Sequence, residues 1–107
     1  MGTSHDRMHV ILWEFRARAG REEEFERAYG PDGEWARFFQ RGSGYLGTEL
    51  HRDSGGQRRY VTIDRWTSRE AFETFRANWK EAYEDLDRRC EALTDHEASI
   101  GSFTPVR

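Results

Sequence analysis

The stretch from Gly44 to Leu93 constrains the fold more than any other part of the chain. Two apolar strand-like runs flank a Ser-Gly-Gly turn, and a capped helical segment of unusual length follows at once. Tyr45–Arg52 and Arg58–Trp66 are rich in Tyr, Leu, Thr, Val and Ile, and Asp53-Ser54-Gly55-Gly56 between them offers the positive-φ residues of a hairpin turn. Thr67 and Glu70 have the spacing of a capping box. Phe72, Phe75, Trp79, Tyr83, Leu86, Cys90 and Leu93 then recur at helical intervals, which predicts one stripe on one long helix. With a strand and a helical segment before this unit and a strand after it, the order reads β-α-β-β-α-β. That is an α+β, ferredoxin-like antiparallel sheet with its helices on one face.

The flanking segments fit this order. His9–Arg18 alternates His9, Ile11, Trp13 and Phe15 with Val10, Leu12, Glu14 and Arg16, so both faces are apolar at the centre of the strand. A sheet with two apolar faces needs two covers; the helices provide one, and a second copy of the chain is the expected other, which predicts a homodimer. Gly20 ends this strand, and Arg21-Glu22-Glu23-Glu24 opens a helix whose acidic first turn suits the macrodipole, with Phe25, Ala28 and Tyr29 on one face. Gly30-Pro31-Asp32-Gly33 breaks it, and Trp35, Phe38 and Phe39 mark a second short helical piece. The last strand is expected at Glu97–Phe103, closed by Pro105.

Composition narrows the function classes. A chain of 107 residues is one domain, expected at residues 8–104, and its 14% aromatic content predicts a core built from large rings. A net charge of −3 gives no electrostatic footprint for nucleic acid. Lys80 is the only lysine, and its place on a helix reads as a solvated residue rather than a Schiff-base amine. Cys90 is the only cysteine, so no intrachain disulfide forms; its place in the apolar stripe predicts a buried thiol and a reducing cytoplasm. No apolar run is long enough for a membrane span, and the polar start over residues 1–7, without a signal-peptide core, reads as a disordered extension. His5, His9, His51 and His96 have no close pairing with one another or with Cys90, which argues against a metal site.

Several runs together carry a resemblance. Trp13 in the first strand, Gly20 before an acidic helix, Phe25, Tyr29-Gly30-Pro31-Asp32-Gly33-Glu34-Trp35-Ala36, Gly44-Tyr45-Leu46-Gly47-Thr48, Tyr60–Trp66 and Glu97–Phe103 resemble the antibiotic biosynthesis monooxygenase domain over about residues 8–104. The resemblance implies a dimeric α+β barrel in which two ferredoxin-like sheets face each other. Members include cofactor-independent monooxygenases of polycyclic phenols and quinols, haem-degrading enzymes, and domains of other roles, so the fold alone does not name a reaction. The haem-degrading branch uses a first-strand Asn, a Trp on the long helix and a His about ten residues further on as axial ligand. The matching positions here are Trp13, Phe75 and Asp85, and no His lies between His51 and His96, so neither haem nor any other cofactor is expected.

A cofactor-free oxygenase needs a dry aromatic pocket and a base that takes a phenolic proton, because the electron-rich anion then reacts with oxygen itself. Trp13, Phe75, Trp79 and Tyr83 are the candidate pocket walls, against the plainer reading that aromatic residues at helical spacing are core. His51 near the end of the second strand is the first candidate base, against an exposed hairpin residue, and Asp64 in the third strand is the other; Arg65 is a candidate partner for a substrate anion, against an ion pair with Glu14 or a dimer contact. Asn78 before Trp79 interrupts a run of good helix formers, and a kink there would open space. The expectation is a monooxygenase acting on an aromatic or quinol-like molecule. The alternative is a small-molecule binding or stress-response domain of the same fold without catalysis.

Overall fold

A computed structural model describes residues 7–106. The disordered extension expected over residues 1–7 falls, apart from Arg7, outside the described residues, as does His5. The elements are β1 (His9–Ala17), α1 (Glu22–Tyr29), α2 (Glu34–Phe39), β2 (Tyr45–Arg52), β3 (Arg59–Trp66), α3 (Arg69–Asn78), α4 (Lys80–Cys90) and β4 (Thr94–Phe103), with a short 3-10 turn at Glu91–Leu93. The strands form one antiparallel sheet in the order β2-β3-β1-β4, the expected ferredoxin-like α+β arrangement.

Pairing of β1 with β3 sets which side chains share a face. Phe15 lies opposite Tyr60, Trp13 opposite Thr62, Ile11 opposite Asp64 and His9 opposite Trp66, all towards the helices. Phe15, Tyr60 and Trp66 are buried there with Phe25 and Tyr29 of α1, Trp35, Phe38 and Phe39 of α2, and Phe75 of α3. Phe25 stacks on Tyr29 at 4.5 Å, and Phe75 meets Phe38 edge-on at 4.9 Å and Trp66 at 5.3 Å. Such ring pairs add about 0.5–1.5 kcal/mol each beyond their buried area. Gly42 permits the tightest of these contacts, because a Cβ there would lie 2.8 Å from Phe75 and 2.9 Å from Trp66.

Three local expectations need correction. The cap of α3 is Ser68, whose Oγ accepts from the Ala71 N–H at 3.0 Å, one residue after Thr67. Thr67 is drawn into the sheet end instead, its N–H donating to the Gly44 carbonyl at 2.8 Å. The hairpin turn takes its left-handed residues at Gly56, Gln57 and Arg58 rather than at both glycines. Arg58 is held there by its Nε donating to the Ala17 carbonyl at 2.8 Å, and β3 begins only at Arg59. β4 starts at Thr94 rather than Glu97, since Arg18 N–H reaches the Leu93 carbonyl at 2.8 Å and Ala17 pairs with Thr94.

The long helix is two helices. Trp79 has φ −122° and ψ 30°, and serves as the C-cap of α3 and the N-cap of α4. The break turns Trp79 out of the stripe: it is 37% exposed, with the Arg41 guanidinium 5.0 Å from its ring.

The other sheet face carries Val10, Leu12, Val61 and Ile63, by their pairing with Arg65, Ile63, Glu14 and Leu12 across β1 and β3. Phe103 pairs with Val10 on that face and is 50% exposed. Among the described residues no helix is long and apolar enough to cross a membrane.

Candidate functional site

Between the inner sheet face and the four helices lies a cavity of about 270 Å³. Its floor is Ile11, Trp13 and Phe15 of β1 with Thr48, Thr62, Asp64 and Glu97 of the neighbouring strands. Tyr29, Trp35 and Phe39 close one side, and Phe72, Arg76, Tyr83 and Asp87 of α3 and α4 close the other. The walls are chiefly aromatic because the 3.6-residue period of each helix and the two-residue period of each strand bring rings to the same interior.

One carboxylate dominates the chemistry. Asp64 occupies an inward position of β3, between Thr62 and Trp66, where its neighbours on that face are buried. Loss of solvation raises its pKa from the ordinary 3.8 to about 6, opposed by a hydrogen bond from Thr48. The Thr48 hydroxyl donates to Asp64 Oδ1 at 2.5 Å. With its proton committed there, Thr48 accepts from the Tyr45 hydroxyl, also at 2.5 Å. Thr48 stands opposite Asp64 in the β2–β3 register, so the chain Tyr45–Thr48–Asp64 is fixed by strand pairing. A carboxyl of this kind changes charge near neutral pH beside an aromatic cavity, as a general base for a phenolic proton requires.

The remaining polar groups are unevenly arranged. Burial raises the pKa of Tyr83, with Arg76 acting against it. Burial and then Asp87 and Glu91 push Glu97 upward. The indole N–H of Trp35 is buried beside the Tyr29 hydroxyl and the Cys90 thiol. Among the described residues no cluster of His, Cys, Asp and Glu has the arrangement of a metal site.

The candidate residues separate cleanly. Asp64, Trp13 and Tyr83 line the cavity together. Phe75 is 2% exposed and belongs to the closed core. Trp79 borders instead a separate surface groove with Arg41, Gly42 and Ser43. His51 and Arg65 lie on the opposite sheet face, opposite Val61 and Val10. There His51 Nε2 is 2.8 Å from Glu49 and Arg65 pairs with the same Glu49. The partner of Arg65 is therefore not Glu14, which lies 3.5 Å from Arg59. His51 and Arg65 alternate out of phase with Leu50 and Asp64, and strand parity sends them away from the cavity. Thr48, Trp35 and Arg76 are site residues that sequence reasoning missed. Parity offered a signal for Thr48, which shares the face of Leu50 and pairs with Asp64; Arg76 gave none, since one arginine among many helical arginines is not distinctive.

Comparison with known proteins places this geometry. The antibiotic biosynthesis monooxygenase family model matches residues 8–85. No curated protein matches the chain. Among solved structures, SnoaB, a cofactor-independent oxygenase from Streptomyces nogalater, is similar at 24% identity and TM-score 0.70, covering 94% of this chain and 95% of that one. A putative antibiotic biosynthesis monooxygenase from Bordetella bronchiseptica is similar at 19% identity and TM-score 0.72, covering 94% and 99%. The haem degrader MhuD from Mycobacterium tuberculosis is similar at 24% identity and TM-score 0.67, covering 92% and 96%. At these identities the structural likenesses establish the fold alone. The family match spans most of the domain, and the chain belongs to the antibiotic biosynthesis monooxygenase family.

Proposed function

We propose that this protein is a cofactor-independent monooxygenase of an aromatic phenol or quinol, with Asp64 as the general base. The observation that carries the reading is Asp64 itself: a carboxyl with a pKa raised to about 6, held on Thr48, at the floor of an aromatic cavity. Asp64 takes the phenolic proton, and the delocalised anion gives an electron to dioxygen and couples with it at a ring carbon that bears hydrogen. The hydroperoxide so formed loses water to leave a carbonyl. One oxygen atom enters the product, the other leaves as water, and the substrate supplies all four electrons, so neither metal nor haem is required. The long helical region supports this, for it carries Asp85, ion-paired with Arg88, where the haem-degrading branch of the family places its axial His. Trp13 and Tyr83 pack the substrate ring.

The protein acts as a homodimer through the outer sheet face, in the reducing cytoplasm that its lone buried thiol fits. Burying Val10, Leu12, Val61, Ile63 and Phe103 contributes roughly 25 cal/mol per Å² of apolar surface removed from water. Light scattering of the native chain and of Leu12→Asp tests this, with the native protein dimeric and the variant monomeric; a monomeric native protein overturns it.

Oxygen uptake with a panel of naphthols, anthrones and hydroquinones tests the activity. The expected result is uptake with at least one substrate, rising with pH through about 6 and lost in Asp64→Asn. Binding of the panel without oxygen uptake replaces this reading with that of a non-catalytic binding domain.

A further inference from the structure

Beside the cavity, between α3, α4 and the strand ends, lies an outer groove of about 540 Å³. The two spaces share only Phe72, Arg76 and Tyr83. These side chains are therefore the shared wall between an aromatic chamber and a surface groove. Arg76 is its movable part, for it is an exposed residue on the last turn of α3. Its guanidinium lies 4.5 Å from the Tyr83 ring centre and 5.9 Å from that of Phe72. Contacts of this sort are weak at exposed sites, and a ligand can displace them.

The charges of the two spaces differ. The chamber holds Asp64, Asp87 and Glu97 against Arg76 alone. The groove holds Arg69, Arg76 and Lys80 against Glu73 and Glu84, and His9 beside them stays neutral because burial and then Arg69 lower its pKa. Arg18, Arg21, Arg52, Arg59, Arg65 and Arg88 each have a carboxylate within 4.0 Å. Among the described residues Arg69, Arg76 and Lys80 have none within that distance, as is also true of Arg7, Arg16, Arg37 and Arg41, and these three lie along one side of α3 and the start of α4. Cations gathered without partners beside an opening attract an anion and raise its local concentration. Arg76, placed at the shared wall, offers the planar fork that binds a carboxylate by two parallel hydrogen bonds.

We propose that chamber and groove form one ligand site, and that its substrate is an aromatic phenol bearing a flexible carboxylate side chain. The ring enters the chamber beside Asp64, and the carboxylate lies on Arg76 with Arg69 and Lys80 behind it. This inference rests on the oxygenase reading of the chamber and adds the polarity of the substrate: ring end inward, anionic end outward. Acidic groups in the chamber reinforce the order, since they repel a carboxylate from the inner end.

The test compares 3-(4-hydroxynaphthalen-1-yl)propanoate with its primary amide by calorimetric titration at neutral pH, with oxygen uptake measured for both. The acid is expected to bind about tenfold more tightly than the amide, with the preference shrinking as salt is raised. Arg76→Gln is expected to bring the two ligands within about twofold of each other, read as the acid-to-amide ratio within each protein, and Arg76→Lys to keep part of the preference. Circular dichroism establishes that both variants are folded. Equal affinity of acid and amide for the native protein overturns this inference, and oxygen uptake with the amide then leaves the oxygenase reading standing. A preference that survives Arg76→Gln overturns the role of Arg76. Absence of binding by both ligands overturns the inference together with the pocket on which it rests.

Discussion

Two aromatic regions face each other across the inner sheet, and they differ in what surrounds them rather than in what they contain. On one side Phe38, Trp66 and Phe75 fill their space, with Trp66 fully buried and Gly42 stripped of a side chain to admit the rings. On the other side Trp13, Tyr83 and Phe72 border a cavity with Asp64 at its floor. Residues of both kinds come from the same periodic stripe. Phe75 packs into the core, whereas Phe72 before the break at Trp79 and Tyr83 after it border the cavity. A closed region contributes stability through contact, while an open one leaves room for a ligand at the expense of contact.

The largest effect that sharpens this contrast is expected at Phe75. Phe75→Ala should destabilise the fold by about 3–5 kcal/mol, because a close-packed ring leaves a void that its neighbours cannot fill. Urea denaturation measures this, and a loss no larger than that at Trp13 would erase the distinction between the regions.

The next effect has the opposite sign and belongs to Asp64. Its folded pKa of about 6 lies above the ordinary 3.8, so between these values the unfolded chain holds fewer protons than the folded one. Stability therefore falls as pH rises through this window, and the full cost, on the order of 2–3 kcal/mol, is present above about pH 6. Asp64→Asn, which removes the buried charge, should raise the melting temperature at neutral pH while abolishing oxygen uptake. An unchanged melting temperature would mean that Asp64 carries no desolvation cost.

At the cavity wall, Trp13→Phe should cost about 1 kcal/mol or less, since part of the ring already borders empty space. Ligand quenching of indole fluorescence should weaken by more than stability does. Tyr83→Phe should behave in the same way and also remove one hydroxyl from the site. A stability loss of about 2 kcal/mol or more in either variant would assign that residue to the packed core.

The smallest effect is expected at Trp79, which lies outside both regions with Arg41 over its ring. Trp79→Phe should change stability by about 0.5 kcal/mol and leave aromatic ligand affinity as it was. A several-fold loss of affinity would show that the break at Trp79 closes when ligand binds and brings the indole to the cavity.

How much could be read before folding follows from the range of each interaction. Strand alternation, the hairpin, the broken first helix and the order of elements are local patterns, so the ferredoxin-like sheet and the family resemblance were legible from Trp13, the Tyr29–Ala36 run and Tyr60–Trp66. Asp64 was also legible as a candidate base, though not above His51. The sequence could not rank these two, because the choice depends on which face of β2 and β3 meets the helices, and that is set by packing of whole elements rather than by any short segment.

The amino-acid sequence by itself determined the order of strands and helical segments, the two-faced apolar sheet and the supply of rings and carboxylates. Only the tertiary structure decided which rings became core and which bordered a cavity, that Asp64 lost its water, and that Arg76 came to rest over Tyr83 at the joint of two helices. Periodicity fixes the direction of a side chain from its own backbone, but whether it meets another atom or empty space depends on elements far away in the chain.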